Sequence, residues 1–218
     1  MSTNKPWNKR NKIVGYRKDL RPALPSILIM CEGNESFYFQ SFPVANKKIK
    51  TYAAGRSKLS LIEEALKEVE RNKKSKNDIP FEQIWCVFDM DFEPNQTKQR
   101  SEFDNAIKKA NNKNIRTAWS NDCIELWYLL HFKSITKRIL RNDIFQQLKK
   151  EIGTKKNIKS AEFCGDLYKT LLPFQKVAFT NISKIRQRID KTIPHHQQNP
   201  HTTVDELVIE LNKSLRSI

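Results

Sequence analysis

Glycine is scarce in this chain, with five in 218 residues. The five are scattered and form no G-x-x-x-x-G-K-[ST] loop, so the chain carries no triphosphate cradle of its own. Long apolar runs are also missing. No stretch approaches the roughly 20 consecutive apolar residues that a membrane-spanning helix needs. The segment from Met1 to Arg10 has no apolar stretch of the kind a secretory leader requires, so no leader is expected. The four cysteines, Cys31, Cys86, Cys123 and Cys164, form no CxxC pair. Buried, reduced thiols of a cytoplasmic protein are expected in place of zinc ligands or disulfides. Acidic residues are in the minority, 24 against 40 lysines and arginines, for a net charge of +16. Such an excess points to a polyanionic partner, most simply nucleic acid, DNA or RNA.

The acidic residues that are present stand in informative places. The run Ser26 to Cys31 (Ser-Ile-Leu-Ile-Met-Cys) is followed at once by Glu32 and Gly33. The run Gln83 to Phe88 (Gln-Ile-Trp-Cys-Val-Phe) is followed by Asp89, Met90 and Asp91. Both runs are short, apolar and rich in β-branched or aromatic residues, as in strands buried on both faces of a parallel sheet. Ligand sites of such sheets lie at the carboxyl ends of strands. Two carboxylates about 4 Å apart repel by ~1 kcal/mol in water and ~4 kcal/mol near a protein surface. A fold that gathers three of them therefore calls for a cation. An all-oxygen ligand set favours Mg²⁺, with Mn²⁺ as the alternative. Asp89 and Asp91 are two residues apart and would face the same side of a chain that stays extended.

The remaining pattern predicts an α/β domain over residues 23–132, preceded by a basic arm over 1–22 and followed by a helical part over 133–218. The arm holds Lys5, Lys9, Arg10, Lys12, Arg17, Lys18 and Arg21 against Asp19 alone. A weak strand is predicted over Lys48 to Ala53, and a helix opening on a Ser60-x-x-Glu63 capping box. A loop follows at 92–96, then a helix from Thr97 to Ala110, a strand from Ile115 to Trp119, and an apolar helix from Cys123 to Phe132. Helices are expected over Ile139 to Ile152, Ala161 to Leu172 and Lys176 to Ile189. A last one follows Thr203-x-x-Glu206, a second capping box. Alternating strands and helices up to Phe132 imply a parallel sheet flanked by helices.

Glu125 falls in the first turn of the helix after the fourth strand. An acid there could serve the helix dipole alone, or it could lie beside Asp89 at the same sheet edge. His131 and Trp127 read as structural.

Three segments together resemble one family. Cys31-Glu32-Gly33 with Asn34 and Glu35, the stretch Val87-Phe88-Asp89-Met90-Asp91, and the stretch from Ser120 to Phe132 look like the CEG, VFDxD and SNPxFExWLLLHF segments of the RloB family. The stretch from Asn199 to Val208 is similar to its NPxTxVxxLV ending. Asp122 stands where the family usually has proline. More distantly, the Glu and DxD strand ends resemble the Toprim domain of topoisomerases, primases and overcoming-lysogenisation-defect nucleases. The resemblance implies a Toprim-like fold and a Mg²⁺-dependent nuclease in prokaryotic defence against phages or plasmids. Asp89 and Asp91 would be metal ligands, Glu125 a further ligand directly or through water, and Glu32 a ligand or general acid/base. It also implies a separate ATPase partner. The alternatives are a nucleic-acid-binding or regulatory module without turnover, and an effector restrained by that ATPase.

Overall fold

A computed structural model describes residues 26–51, 57–76, 78–91 and 97–215. The basic arm over 1–22 and the loop over 92–96 lie outside the described residues. In chain order the elements are β1 (Ile27–Cys31), α1 (Glu35–Gln40), β2 (Lys47–Thr51), α2 (Lys58–Lys74), β3 (Gln83–Asp89), α3 (Thr97–Asn112) and β4 (Arg116–Asn121). Then come α4 (Glu125–Leu129), α5 (Arg141–Ile152), α6 (Ala161–Leu171), α7 (Gln175–Arg186), β5 (His201–Thr202) and α8 (Val204–Lys213).

The described strands form a five-stranded sheet in the order β2-β1-β3-β4-β5. The first four are parallel, and β5 joins β4 antiparallel. The expected α/β sheet flanked by helices is therefore present, with an antiparallel edge strand that the apolar pattern does not announce. β5 has only two residues and no alternation to read. Side-chain hydroxyls help tie it in place: Ser120 Oγ and Thr202 Oγ1 are 2.9 Å apart.

The central strands are apolar throughout because both faces are covered. Ile27, Ile29 and Cys31 of β1, with Trp85 and Val87 of β3, pack in a cluster with α1, α4 and the C-terminal helices. Leu28 and Met30, with Cys86 and Phe88, pack against α2 and α3. Fully burying each such side chain contributes about 1.5–3 kcal/mol. The first cluster runs unbroken from β1 to Leu211 of α8; α8 packs on β4, whereas α5 packs on α4 and α6 on α1. All four cysteines are buried and unpaired.

The faces define a switch point. Helix α1 follows β1 on one face toward β2, and α3 follows β3 on the other toward β4. Between β1 and β3 the chain therefore leaves in opposite directions, and the crevice at this switch point is the usual ligand position of an open α/β sheet.

Two helix starts differ from expectation. Helix α2 is capped by Ser57, whose Oγ accepts from Ser60 N at 3.1 Å, so Ser60 lies within the first turn. Thr203 precedes α8 but does not cap it with its side chain. Its Oγ1 donates to Thr117 O and accepts from Trp119 N, both at 3.0 Å, and so stitches the edge of β4. The predicted helix from Cys123 to Phe132 contracts to the five residues of α4, all of them buried.

Candidate functional site

The strand ends bring the acidic residues to the switch point. Glu32 directly follows β1, and its Oε2 lies 3.5 Å from the backbone nitrogen of Asp89, the last residue of β3. Asp89 continues the parity of Trp85 and Val87, which directs it to the face covered by α1 and α4. Asp91 does not stay extended. Its φ is +53°, in the left-handed region that aspartate tolerates better than most residues. The turn is anchored by Met90 N to Ser120 O at 2.8 Å and Asp91 N to Asp122 O at 3.1 Å. Asp91 thus swings away from the line of Asp89, and the expectation that both face one side of an extended strand is replaced by a turn that presents them from different directions.

Glu125 is brought in by α4. It is only 4% exposed, and its Oε2 has no hydrogen-bond partner. Its carboxylate meets its own backbone N–H at the start of α4, as a helix-dipole role requires, and it also lines one cavity with Asp89. Tyr128, one helical turn on, also has an unpartnered, buried hydroxyl. Both residues line a cavity of about 180 Å³ together with Gly33, Glu35, Asp89 and Lys159. Buried polar groups are normally satisfied. Two orphans facing one small cavity fit a bound ion, its waters, or a substrate oxygen.

Glu35 belongs to the same group. Its carboxylate folds back so that Gly33 N donates to Oε1 at 2.8 Å. A Cβ on residue 33 would stand 2.9 Å from Glu35 Oε2, so a larger residue there would displace this carboxylate. Sequence reasoning left Glu35 without a role, although the signal, a second acid three residues after Glu32 on the first turn of α1, was present.

The electrostatics follow from this crowding. Burial, then the charges of Asp91, Glu125, Glu35 and Glu32, hold the Asp89 carboxyl well above the usual range. Burial pushes Glu35 up to about 7, with smaller contributions from Glu32 and Glu125. Glu125 and Glu32 are also raised by burial, against the opposing charges of Lys159 and Lys58 respectively. Two cations bracket the opening. Lys58 Nζ, near the start of α2, is 3.8 Å from both Glu32 Oε1 and Asp91 Oδ2. Arg141, at the start of α5, pairs with Asp91 through Nη2, which also lies 3.6 Å from Asp122 Oδ1. Neither Lys58 nor Arg141 carries a signal in the sequence, because both arrive by tertiary packing.

Among the described residues no three His, Cys, Asp or Glu side chains already stand as a ready ligand set. The donors are nonetheless all oxygens, and one carboxylate oxygen is orphaned. That chemistry fits Mg²⁺, which commonly keeps several waters and takes only one or two carboxylates directly. His131 stays apart from this group. It is fully buried, with Nδ1 2.9 Å from Trp127 O, and burial pushes it down to about 4.

The family model described as RloB-like protein matches residues 27–211. The chain belongs to the RloB-like family. The match takes in β1 through most of α8, and hence every acidic residue of the site. No curated protein and no solved structure matches the chain. No helix among the described residues of this RloB-like protein is long and apolar enough to cross a membrane.

Proposed function

We propose that this RloB-like protein is a metal-dependent phosphodiesterase acting on nucleic acid, a nuclease of the Toprim type. The observation that carries the reading is the convergence of Glu32, Asp89 and Asp91 at the switch point, with the buried, orphaned oxygen of Glu125 beside them. Asp89, Asp91, Glu32 and Glu125 would hold Mg²⁺ or Mn²⁺, directly or through water. The ion would supply charge to polarise a phosphodiester and stabilise the leaving oxygen.

The chain's own residues have distinct tasks. Burial and mutual repulsion favour the protonated forms of Asp89 and Glu125, so a cation entering the pocket would displace those protons and gain oxygen ligands, while a phosphate alone would gain no counter-charge from them. Glu35, with its carboxyl near neutrality, can hold or release a proton at working pH. Lys159 lines the same pocket and offers a positive charge to a phosphate oxygen. Lys58 and Arg141 neutralise Glu32 and Asp91 until a cation competes for those oxygens. A role in defence against phages or plasmids, and an ATPase partner on a separate chain, accompany this reading. Co-purification with a neighbouring ATPase tests the latter.

The deciding experiment is cleavage of DNA and RNA by purified protein with and without Mg²⁺. Parent protein should cleave at least one of them only with the metal, and Asp89→Asn should abolish it. Nucleic-acid binding without cleavage by any metal-loaded sample would replace the nuclease reading with a binding module.

A further inference from the structure

A second cavity, of about 640 Å³, opens at the β4–β5 edge of the sheet and shares no lining residue with the carboxylate pocket. Its size falls within the ordinary range for small-molecule sites. One wall is the indole of Trp119, which meets the rings of His195 and His201 at centroid distances of 5.3 and 4.8 Å. Ile107 and Ile189 extend this apolar wall. The polar side holds three cations, Arg116, Arg186 and Lys191; Arg116 also pairs with Glu210, and Arg186 with the cavity's own carboxylate, Glu206, each at 3.3 Å. Arg186 is fixed in place by Asp205, at 2.6 and 2.7 Å. Lys191 is exposed.

The histidines give the cavity its chemical bias. Gln198 Nε2 donates to Ile193 O at 2.9 Å, which turns its Oε1 toward His201 Nδ1, 3.0 Å away. His201 Nδ1 therefore carries the proton, and Nε2 is a bare acceptor. Burial, with Arg186 and His195 nearby, pushes this ring down to about 3, so it stays neutral. His201 Nε2 and His195 Nδ1 are both buried and without a hydrogen-bond partner. A buried acceptor of this kind calls for a donor N–H or O–H. A ligand that satisfies the whole cavity has a flat face for the apolar wall, a donor for His201, hydroxyls for Glu206 and an anion for the cations. A bare phosphate or a simple carboxylate meets only the last of these.

We propose that this cavity binds a nucleoside 5′-phosphate, either free or as the terminal residue of a strand. The site is separate from the carboxylate pocket, and the end of β4 links the two regions. Asn121, the last residue of β4, donates to His195 O at 3.2 Å and to His196 O at 2.9 Å. The next residue, Asp122, accepts from Arg141 N at 3.1 Å. One strand end thus supports both the wall of the cavity and the cation that holds Asp91.

Calorimetry on the full chain carrying Asp89→Asn tests this without cleavage. The probes are AMP, GMP, CMP and UMP, inorganic phosphate, and a short oligonucleotide with and without a 5′-phosphate. At least one nucleotide or the 5′-phosphorylated strand should bind, and inorganic phosphate should bind about tenfold more weakly or worse. Lys191→Glu and His201→Phe should each weaken binding by about tenfold, about 1.4 kcal/mol. Lys73→Glu, exposed on α2 and lining neither cavity, should leave nucleotide binding unchanged. Binding of the 5′-phosphorylated strand alone assigns the site to strand ends, and binding of nucleotides assigns it to a free ligand. Should His201→Phe fail to fold, the exposed Lys191→Glu decides. The proposal is overturned if no nucleotide or phosphorylated strand binds, if Lys191→Glu binds as the parent does, or if inorganic phosphate binds as tightly as the nucleotides.

Discussion

The Glu32 carboxylate reaches from the end of β1 to the backbone N–H of Asp89 at the end of β3, with Oε2 3.5 Å from that nitrogen. The two acids are thereby held on either side of the switch point as one unit. Glu32→Gln and Asp89→Asn should each lower cleavage by roughly 10²-fold or more if either charge is needed in the transition state. Groups that act as a unit are not additive. The double variant should therefore be little worse than the poorer single one, measured as kcat/KM on one oligonucleotide. Fully multiplicative losses would separate the two residues functionally.

Glu35 predicts a pH-dependent stability. Its carboxyl moves from an ordinary value near 4.5 to about 7 on folding. Between these values the folded protein keeps a proton that the unfolded chain has released, so stability falls as pH rises through this window. Each unit is worth about 1.4 kcal/mol, which puts the upper bound at roughly 3–4 kcal/mol. Glu32, Asp89 and Glu125 are raised as well and act in the same direction. Urea denaturation without metal between pH 4.5 and 8 should show this decline, and Glu35→Gln should remove a measurable part of it. An unchanged profile in the variant would place the titration elsewhere.

A cation that enters the carboxylate pocket should reverse that loss. At about a hundredfold excess over its Kd, a ligand stabilises the folded state by about 2.7 kcal/mol. For a chain of this size that is a rise in Tm of roughly 5–10 °C. Asp89→Asn and Glu125→Gln should raise the metal-free Tm near neutral pH, since each removes a buried carboxyl whose ionisation the fold opposes, and should blunt the response to Mg²⁺. Equal Mg²⁺ shifts in parent and variants, read by differential scanning fluorimetry, would mean that the ion binds outside this pocket.

The sheet and its acidic edge were legible because β1 and β3 are buried on both faces and stop at charged residues. Uninterrupted apolar runs ending in Glu32 and Asp89 admit few other arrangements. What escaped the sequence depends on tertiary contact. The cap of α2 moved to Ser57 because that residue, and not Ser60, takes up the extended conformation of a helix start. Thr203 resembled a cap but was claimed by β4. The turn at Asp91 rests on carbonyls of Ser120 and Asp122, some thirty residues away in sequence. Lys58, Arg141 and Lys159 are three of 40 basic residues, and only the fold singles them out.

The basic side chains around the pocket can be sorted by their salt dependence. Lys58 is 8% exposed and lies between Glu32 and Asp91, so its charge is already committed within the protein. Lys159 lines the pocket, and its ammonium lies 5.2 Å from the centre of the Phe145 ring, a contact that water and phosphate can both compete with. Binding of nucleic acid releases counterions, and log K falls with log salt at about −0.9 per phosphate neutralised on a duplex and about −0.7 on a single strand. In an Asp89→Asn background, which uncouples binding from cleavage, Lys159→Gln should reduce the steepness by roughly one phosphate contact. Lys58→Gln should barely alter the slope and should instead lower the metal-free Tm, because it strips Glu32 and Asp91 of a shared counter-charge. Deleting residues 1–22, which carry seven lysines and arginines against one aspartate, should flatten the slope further. Fluorescence anisotropy across a salt series measures all three. A slope near zero for the intact chain would remove nucleic acid from consideration as its partner, and a Lys58→Gln slope as reduced as that of Lys159→Gln would show that Lys58 turns from the carboxylates to the phosphates when the strand binds.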